Sequence, residues 1–255
     1  WEIENEKALD VMKSVARGTN YWLRMKPCLS YLSFDGENDY VEVADDPSLD
    51  ITQEITVEAL AYPSTVPAID ERIVTKAGWG QNYDLYWHKD GYWVFDAKFS
   101  DGNVYGVGSC YEDPSLNAIN RWHHLVGRVR DGEIALIVDL TEISVTIPEG
   151  LTLVTNDNPL KIGTYGYFHG NIAYVRIYNQ ALSATEIQHN HLNPMNPVTD
   201  GLVLWLNFHN VQGDVVPDLS GYGNDGMIYG ASQGYEVYPP YVNSFLMEFR
   251  PKVIA

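Results

Sequence analysis

The segment Tyr165–Ile187 reads YGYFHGNIAYVRIYNQALSATEI and decides the fold of the chain. Its middle, Ile172–Tyr178, is rich in β-branched and aromatic residues and lies between a glycine and an Asn-Gln pair, which predicts a strand. Ser183 precedes Glu186 by three residues, and this spacing of a capping box predicts the start of a helix. The segment therefore predicts a strand followed by a short capped helix.

Short strands recur through the preceding part of the chain. Residues Leu32–Val43 (LSFDGENDYVEV) alternate on both sides of a Gly-Glu-Asn-Asp turn and predict a hairpin, and Ile55–Ala61 predicts a buried strand. Turn signals at Lys89–Gly91, Asp101–Asn103 and Asp131–Gly132 separate further strands. This pattern is typical of an antiparallel sandwich and not of alternating βαβ units.

Several phrases of the sequence resemble one family in the order that the family has them. They are LSFDG (from Leu32), DPSLDITQEITVEALAYP, RWHHLVGRV, NPLKIGTYG and FxGxIxxVRIYNxALSxxEI (from Phe168). They are similar to laminin-G-like, concanavalin-A-like jelly rolls, and the resemblance spans Leu32 to Ile187. It implies an all-β, antiparallel two-sheet sandwich. The family's usual Val-Asp-Gly hairpin is Val138-Asp139-Leu140 here, which predicts a longer loop through Thr141 and Glu142.

The parts outside this region predict appendages to the sandwich. Leu9, Met12 and Val15 have helical spacing between Asn5 and Arg17, so an N-terminal amphipathic helix and lead-in are expected over residues 1–30. The expected sandwich covers 31–192, and a Pro- and Asn-rich linker covers 193–200. No obvious opening strand precedes Tyr31.

The C-terminal part resembles the opening of the same family's domain over residues 201–233. A piece this short cannot bury a core alone. It docks on the sandwich as a permuted strand pair, packs as a satellite, or joins another subunit, and the first arrangement is favoured. Residues 234–255 form an apolar tail, which predicts either an extra strand on the same sheet or a strand donated to a neighbouring subunit.

Charge and composition exclude several classes of protein. The formal net charge is −18, and no cluster of Lys and Arg could neutralise a row of phosphates, so neither nucleic acid nor an anionic membrane is an expected partner. No apolar run approaches the roughly 20 residues that cross a bilayer, so no membrane insertion is expected. The chain begins at Trp1 without methionine, so either a leader was removed or an earlier part is missing.

The catalytic patterns in the sequence lack the context that catalysis needs. No ExDxE run offers the paired carboxylates of a glycoside hydrolase, and the ExDxxE spacing of Glu37, Asp39 and Glu42 crosses a turn. The GxSxG pattern at Gly230–Gly234 lies in a glycine-dense turn segment and not between a strand and a helix, as a nucleophile elbow would. Adjacent His123 and His124 point to opposite faces of a strand, and His189 and His191 lie two apart near a helix end, so zinc is not expected. A protein that is not an enzyme is therefore predicted.

Calcium is the one cofactor that the family resemblance implies. Asp35, Asn38 and Asp39 match the family's opening motif and offer the hard oxygen ligands that calcium prefers. Many relatives have an aspartate after the Gly-x-Ile of the closing strand, but this chain has Ala173. The same turn side chains also cap backbone N–H groups without any metal. Separately, Cys28 and Cys110 form either a disulfide or two buried thiols.

Glycan binding is the activity that the family most often suggests. A sugar site needs an exposed aromatic ring beside polar side chains. Aromatic residues are densest between Trp79 and Phe95 and recur near Tyr167. About half of the first group must face the core, so Trp79, Tyr92 and Tyr167, near turns, are the expected exposed rings. The candidate ligand-binding residues are Trp79, Tyr83, Trp87, Tyr92, Trp93, Tyr167 and His169.

The sequence thus predicts a noncatalytic β-sandwich module from an extracellular, cell-surface or virion-surface setting that recognises a glycan or a surface protein in adhesion. The first alternative is a structural subunit of a virion or filament, an oligomer held by exchange of residues 1–20 and 241–255. The second alternative is a glycoside hydrolase of concanavalin-like fold.

Overall fold

The computed structural model describes residues 21–78, 80–110, 113–236 and 244–251. The helix predicted between Asn5 and Arg17 lies outside these residues, as does Trp79.

The described residues form two antiparallel sheets and an α-helix, α1 (Ala184–Leu192). The first sheet contains β1 (Tyr21–Asp35), β3 (Ile55–Pro63), β8 (His123–Arg130), β9 (Glu133–Val138), β10 (Thr141–Thr146), β12 (His169–Tyr178), β13 (Leu202–Asn207), β16 (Ser232–Glu236) and β17 (Ser244–Pro251). The second sheet contains β2 (Tyr40–Val43), β4 (Glu71–Lys76), β5 (Tyr83–His88), β6 (Tyr92–Lys98), β7 (Val104–Gly108), β11 (Leu160–Ile162), β14 (Val215–Val216) and β15 (Gly226–Tyr229).

The two sheets pack face to face around one apolar core. Alternate residues of each strand point inward, as Val57 and Leu125 do from the first sheet and Val41 and Leu85 do from the second. The predicted two-sheet jelly-roll sandwich is therefore confirmed.

Strand β12 lies at the centre of the first sheet and contains the middle of the sequence segment that decides the fold. One of its edges pairs along its length with β3. Its other edge is shared, because β1 pairs with His169–Ile172 and β13 pairs with Tyr174–Tyr178. Helix α1 follows with both halves of the predicted capping box, since Ser183 and Glu186 each bind the other's backbone N–H.

Two predictions near the start of the sandwich are wrong. Residues Leu32–Val43 do not form a hairpin, because β1 belongs to the first sheet and β2 pairs with β11 and β15 in the second. The turn between them carries the chain from one sheet to the other. The opening strand also begins at Tyr21, ten residues earlier than the sequence pattern indicated.

The segment after the linker completes both sheets within the same chain. Strand β13 pairs with β12, β15 pairs with β2, and β16 pairs with β1. Strand β17 pairs with the first half of β1, with Tyr21 opposite Pro251. The predicted domain boundaries, and the exchange of terminal segments between subunits, stay predictions.

A buried polar network fixes α1 on the outer face of the first sheet. The carboxylate of Glu58 lies 2.6 Å from His124 Nε2 and 3.1 Å from Arg176 Nη1, and it accepts a 3.0 Å hydrogen bond from Asn190 of α1. Burial alone would raise the pKa of Glu58, but Arg176 and His124 outweigh it and lower that pKa to about 2. Arg176 also donates to the Pro194 carbonyl, so this network holds both the helix and the linker.

The hairpin between β9 and β10 differs from its prediction. Val138 pairs with Thr141, so the loop contains Asp139 and Leu140 alone and is not extended through Glu142. Both loop residues have positive φ, 49° and 71°, as a type I′ turn requires. Asp139 is held by contacts with His123 Nδ1 and the His124 backbone N–H, each 2.9 Å. These contacts fix a tight turn that lacks the usual glycine.

We expect Leu140→Gly to stabilise the protein by about 0.5–1 kcal/mol, because leucine in the left-handed region is strained and glycine is not. Chemical denaturation measures the difference. Leu140→Ala is the control, since it shortens the exposed side chain and keeps the strained backbone; an equal gain from alanine would contradict the explanation.

Candidate functional site

A row of polar residues crosses the outer face of the second sheet. Cross-strand pairing places one residue of each strand directly beside the next. In order from β2 to β7 the row contains Glu42, Lys161, Thr75, Asp84, Asp96 and Gly106. The residues flanking them, such as Val41, Ile162 and Leu85, face the core. The row is therefore a continuous polar line on a rigid sheet.

Tyrosine rings extend this row at one end of the sheet. The rings of Tyr40 and Tyr229 stack with centroids 4.6 Å apart and planes 16° apart. Lys161 Nζ lies 5.0 Å from the Tyr40 ring centroid and 3.1 Å from the Glu42 carboxylate. We call Tyr40, Tyr229, Lys161 and Glu42 the tyrosine strip.

The tyrosine strip is accessible to a ligand. Tyr229 is 42% exposed, and its neighbour Met227 is 41% exposed. Burial lowers the pKa of Lys161, but Glu42 outweighs it and the net pKa is raised, with smaller contributions from Tyr40 and from Tyr165, which is 47% exposed. Rings beside a carboxylate and an amine offer apolar faces together with hydrogen-bond donors and acceptors, which is the surface that a sugar requires.

The middle of the polar row is a buried acidic floor. Asp84 and Asp96 lie opposite each other on β5 and β6 and are 1% and 6% exposed. Asp84 accepts hydrogen bonds from the Thr75 hydroxyl and the Gly80 backbone N–H. Arg72, whose guanidinium lies 4.5 Å from the centroid of the Tyr86 ring, is the nearby cation. Both acids are thus enclosed by the protein.

Burial raises the pKa of Asp96 to about 7, and the neighbouring charge of Asp84 adds to the shift. Burial raises the pKa of Asp84 as well, although Thr75 and Arg72 oppose it. Burial also raises the pKa of Glu71 to about 7 against a hydrogen bond from the His169 backbone N–H. Asp96 in the floor, and Glu71 outside the polar row, therefore take up protons near neutral pH, and both are buried away from a ligand on the surface.

Three predicted ligand-binding residues are core residues instead. Tyr83, Trp87 and Trp93 are fully buried, and the rings of Trp87 and Trp93 lie 4.4 Å apart. They cannot stack on a sugar, because β5 and β6 turn these positions inward and leave Asp84 and Asp96 outward. Their prediction as ligand-binding rings is wrong.

The other predicted ligand-binding residues that the structure describes are half-buried or exposed. Tyr92 is half-buried and stacks on His88 with ring centroids 4.3 Å apart. Tyr167 is half-buried and His169 is exposed where the chain enters β12, and Trp79 lies outside the described residues. Whether any of these four contacts a ligand stays a prediction.

Sequence reasoning missed Tyr40 and Tyr229. One signal was present, because Tyr40 and Glu42 alternate with the core residues Val41 and Val43, which marks them as outward-facing. The strand that pairs with Tyr40 and Glu42 could not be recognised from the sequence, because β15 lies far along the chain in a glycine-rich stretch.

The predicted calcium ligands have backbone partners in this turn. Asp39 accepts a hydrogen bond from the Asp35 N–H at 3.0 Å, and Asp35 accepts one from the Glu37 N–H at 2.8 Å. A Cβ at Gly230 would lie 2.0 Å from Asp39 Oδ1, so the protein backbone fills the space beside that oxygen. Within the described part of the chain no three His, Cys, Asp or Glu residues group as metal ligands. These contacts occupy part of the oxygen set that calcium would need, and calcium stays a prediction.

Cys110 is a free, exposed cysteine, and the side chain of Cys28 lies outside the described residues. Residue 110 lies in an exposed turn after β7. At Cys110 the structure therefore has neither the disulfide nor the buried thiol that the sequence predicts.

A family model of the concanavalin A-like lectin/glucanases superfamily, Laminin_G_3, matches residues 35–188. The chain belongs to this superfamily. No curated protein matches the chain. Among the described residues, no helix of this chain has the length and apolar character needed to cross a membrane.

Solved structures share the fold at low sequence identity. A provisionally assigned carbohydrate-binding protein from Bacteroides ovatus is 18% identical with a TM-score of 0.66, covering 85% of this chain and 62% of its own. The binding domain of Paraclostridial Mosquitocidal Protein 1 is 17% identical with a TM-score of 0.52, covering 70% of this chain and 49% of its own. The receptor-binding domain of botulinum neurotoxin mosaic serotype C/D is 13% identical with a TM-score of 0.50, and the match covers 66% of this chain and 45% of the neurotoxin chain. This chain thus spans about half to three fifths of the length of the three proteins.

Proposed function

We propose that the chain is a noncatalytic carbohydrate-binding module that acts outside the cell or on a surface and recognises glycans through the tyrosine strip. The observation that carries the proposal is the stack of half-buried Tyr40 on exposed Tyr229 beside the Lys161–Glu42 ion pair. It combines apolar ring surface with polar groups on a rigid sheet, as sugar recognition requires. The carbohydrate-binding assignment of the Bacteroides ovatus protein and the receptor-binding role of the neurotoxin domain support the same class of function.

The charges on the strip favour a neutral glycan. The chain carries a formal net charge of −18, so its field repels sulfated and carboxylated sugars. Lys161, the cation of the strip, is already paired with Glu42. A neutral glycan meets neither repulsion nor the cost of breaking this ion pair.

The buried acidic floor supports a noncatalytic role. Glycoside hydrolysis requires two carboxyl groups that flank the scissile bond of the substrate. Asp84 and Asp96 form a carboxyl pair in the middle of the polar row, but they are almost inaccessible. A glycan on the strip would lie above them without contact.

We expect Tyr229→Ala to weaken glycan binding about tenfold, because an exposed aromatic contact contributes about 1–1.5 kcal/mol. A neutral-glycan array identifies the ligand, and isothermal titration calorimetry then compares the variant with the wild type.

Tyr235→Ala is the matched control, since Tyr235 is 65% exposed but lies on β16 of the other sheet. An array without neutral-glycan hits at high protein concentration would refute the proposal. Equal loss in both variants would show that the tyrosine strip is not the binding surface.

A further inference from the structure

A cleft lies at one end of the sandwich, and none of its lining residues belongs to the tyrosine strip. It is a cleft of about 420 Å³ between the residues that precede β3, the β8–β9 turn and the loop after β10. Its volume lies within the range of about 300–1,000 Å³ that small-molecule sites occupy. It shares no residue with the strip, so an independent ligand could occupy it.

The floor of the cleft is apolar. Phe99, Val129 and Ile147 line it and are each less than 5% exposed, and Leu151 beside them is half-buried. These side chains belong to the core or pack against it, so the floor is rigid. Because the first three side chains are almost inaccessible, Leu151 and the exposed Pro148 supply the apolar surface that a ligand can cover, and covering it stabilises the complex.

The wall of the cleft carries mixed hydrogen-bonding groups. Gln53 and Asn179 supply amides, Glu54 and Asp131 supply carboxylates, and Arg130 supplies a guanidinium. The amides donate and accept, the carboxylates accept, and the guanidinium donates. A hydroxyl group both donates and accepts, so a polyhydroxylated ligand can use every member of this wall.

The wall is held in place by contacts behind it. Asp131 Oδ1 accepts a 2.8 Å hydrogen bond from the Gly150 N–H, which ties the β8–β9 turn to the following loop. Ile147 N–H donates to the Gly132 carbonyl at 3.0 Å, and Arg130 Nε lies 2.9 Å from Glu133. These contacts organise the site before a ligand arrives, which lowers the entropic cost of binding.

We propose that this cleft binds a neutral monosaccharide or the terminal residue of a neutral oligosaccharide, with the sugar's apolar face on Leu151 and its hydroxyls on Gln53, Asn179 and Asp131. The wall contains two carboxylates and one guanidinium, and Glu133 already pairs with that guanidinium, so anionic ligands are disfavoured. An amine could use the acceptors but would leave the amide and guanidinium donors unused. The proposal stands independently of the tyrosine strip.

Backbone-amide NMR titration with glucose, galactose, mannose and N-acetylglucosamine tests it. At least one sugar should shift the amides of Gly132, Gly150 and Leu151 with a millimolar dissociation constant. Leu151→Trp should abolish these shifts by filling the cleft, whereas Val145→Trp, which adds the same ring on the exposed edge strand β10, should keep them. Gln53→Ala, at an exposed position, should weaken binding about fivefold by removing one hydrogen-bonding partner.

Absence of shifts at the cleft with all four sugars would overturn the proposal, as would shifts that persist in folded Leu151→Trp. Tighter binding of glucose 6-phosphate than of glucose would overturn the ligand class. The same titration in Tyr229→Ala separates the two sites: cleft shifts should be unchanged there, and their loss would also count against an independent cleft. Shifts at Tyr40 and Tyr229 without shifts at the cleft would leave the proposed function standing and remove this second site.

Discussion

Replacing Arg176 with methionine should destabilise the fold by about 3–5 kcal/mol, since it removes the guanidinium that pairs with the buried carboxylate of Glu58 and leaves that carboxylate with His124 and Asn190 alone. Glu58 is 1% exposed and Arg176 is fully buried, so water cannot replace the lost partner. The guanidinium also lies 4.0 Å from the centroid of the Tyr174 ring and 5.4 Å from that of Trp205 on β13. The substitution therefore loosens α1, the linker and β13 together, and urea denaturation measures the loss.

Two control variants separate the buried charge from lost packing. Glu58→Gln combined with Arg176→Met removes both charges and should cost less than Arg176→Met alone. Arg130→Met removes a guanidinium that is half exposed and should cost no more than about 1 kcal/mol. A double variant as unstable as the single one would assign the loss to packing.

Asp96→Asn should stabilise the protein by about 2–4 kcal/mol at pH 8 and by much less at pH 4. The folded-state pKa of Asp96 is raised to about 7, above its unfolded value, so the folded state binds the extra proton between these values. Wild-type stability therefore falls as pH rises through this window, and the ionised carboxylate lies buried beside Asp84 above it. Asparagine keeps the shape of the side chain and cannot ionise.

Thermal melts at pH 4, 6 and 8 measure this effect. Glu71 has a pKa raised in the same way and remains in the variant, so the slope should be reduced and not abolished. Asp157→Asn, at an exposed position, is the control and should leave the pH dependence unchanged. A gain from Asp96→Asn that is equal at pH 4 and pH 8 would contradict the buried-carboxylate explanation.

The parts of the fold that follow local rules could be predicted from sequence. The β12 strand and the capped start of α1 depend on residues within a few positions of each other, and the structure has both. The path of the chain after β1 could not be predicted from local rules, because the same turn residues are compatible with a hairpin and with a crossing from one sheet to the other. Which one forms depends on the distant partners of β2.

The candidate site was less predictable because it depends on long-range pairing and on strand phase. Tyr40 meets Tyr229 through the pairing of β2 with β15, and no local signal joins those strands. In β5 and β6 both faces carry aromatic or polar residues, so alternation alone did not show that Trp87 and Trp93 point inward. Leu140 occupies a glycine-like position because Asp139 is anchored to His123 on a neighbouring strand, which sequence spacing does not reveal.

The shared edge of β12 has a consequence for synthesis on the ribosome. Half of this edge pairs with β1, which emerges early, and half waits for β13, which emerges after the linker. A nascent chain that has released β12 and α1 therefore exposes an unpaired strand edge at Tyr174–Tyr178, and its core still lacks Leu204 and Leu206. Translational pausing before Leu202 would prolong this aggregation-prone state, so the speed of elongation through the linker should influence the yield of folded protein.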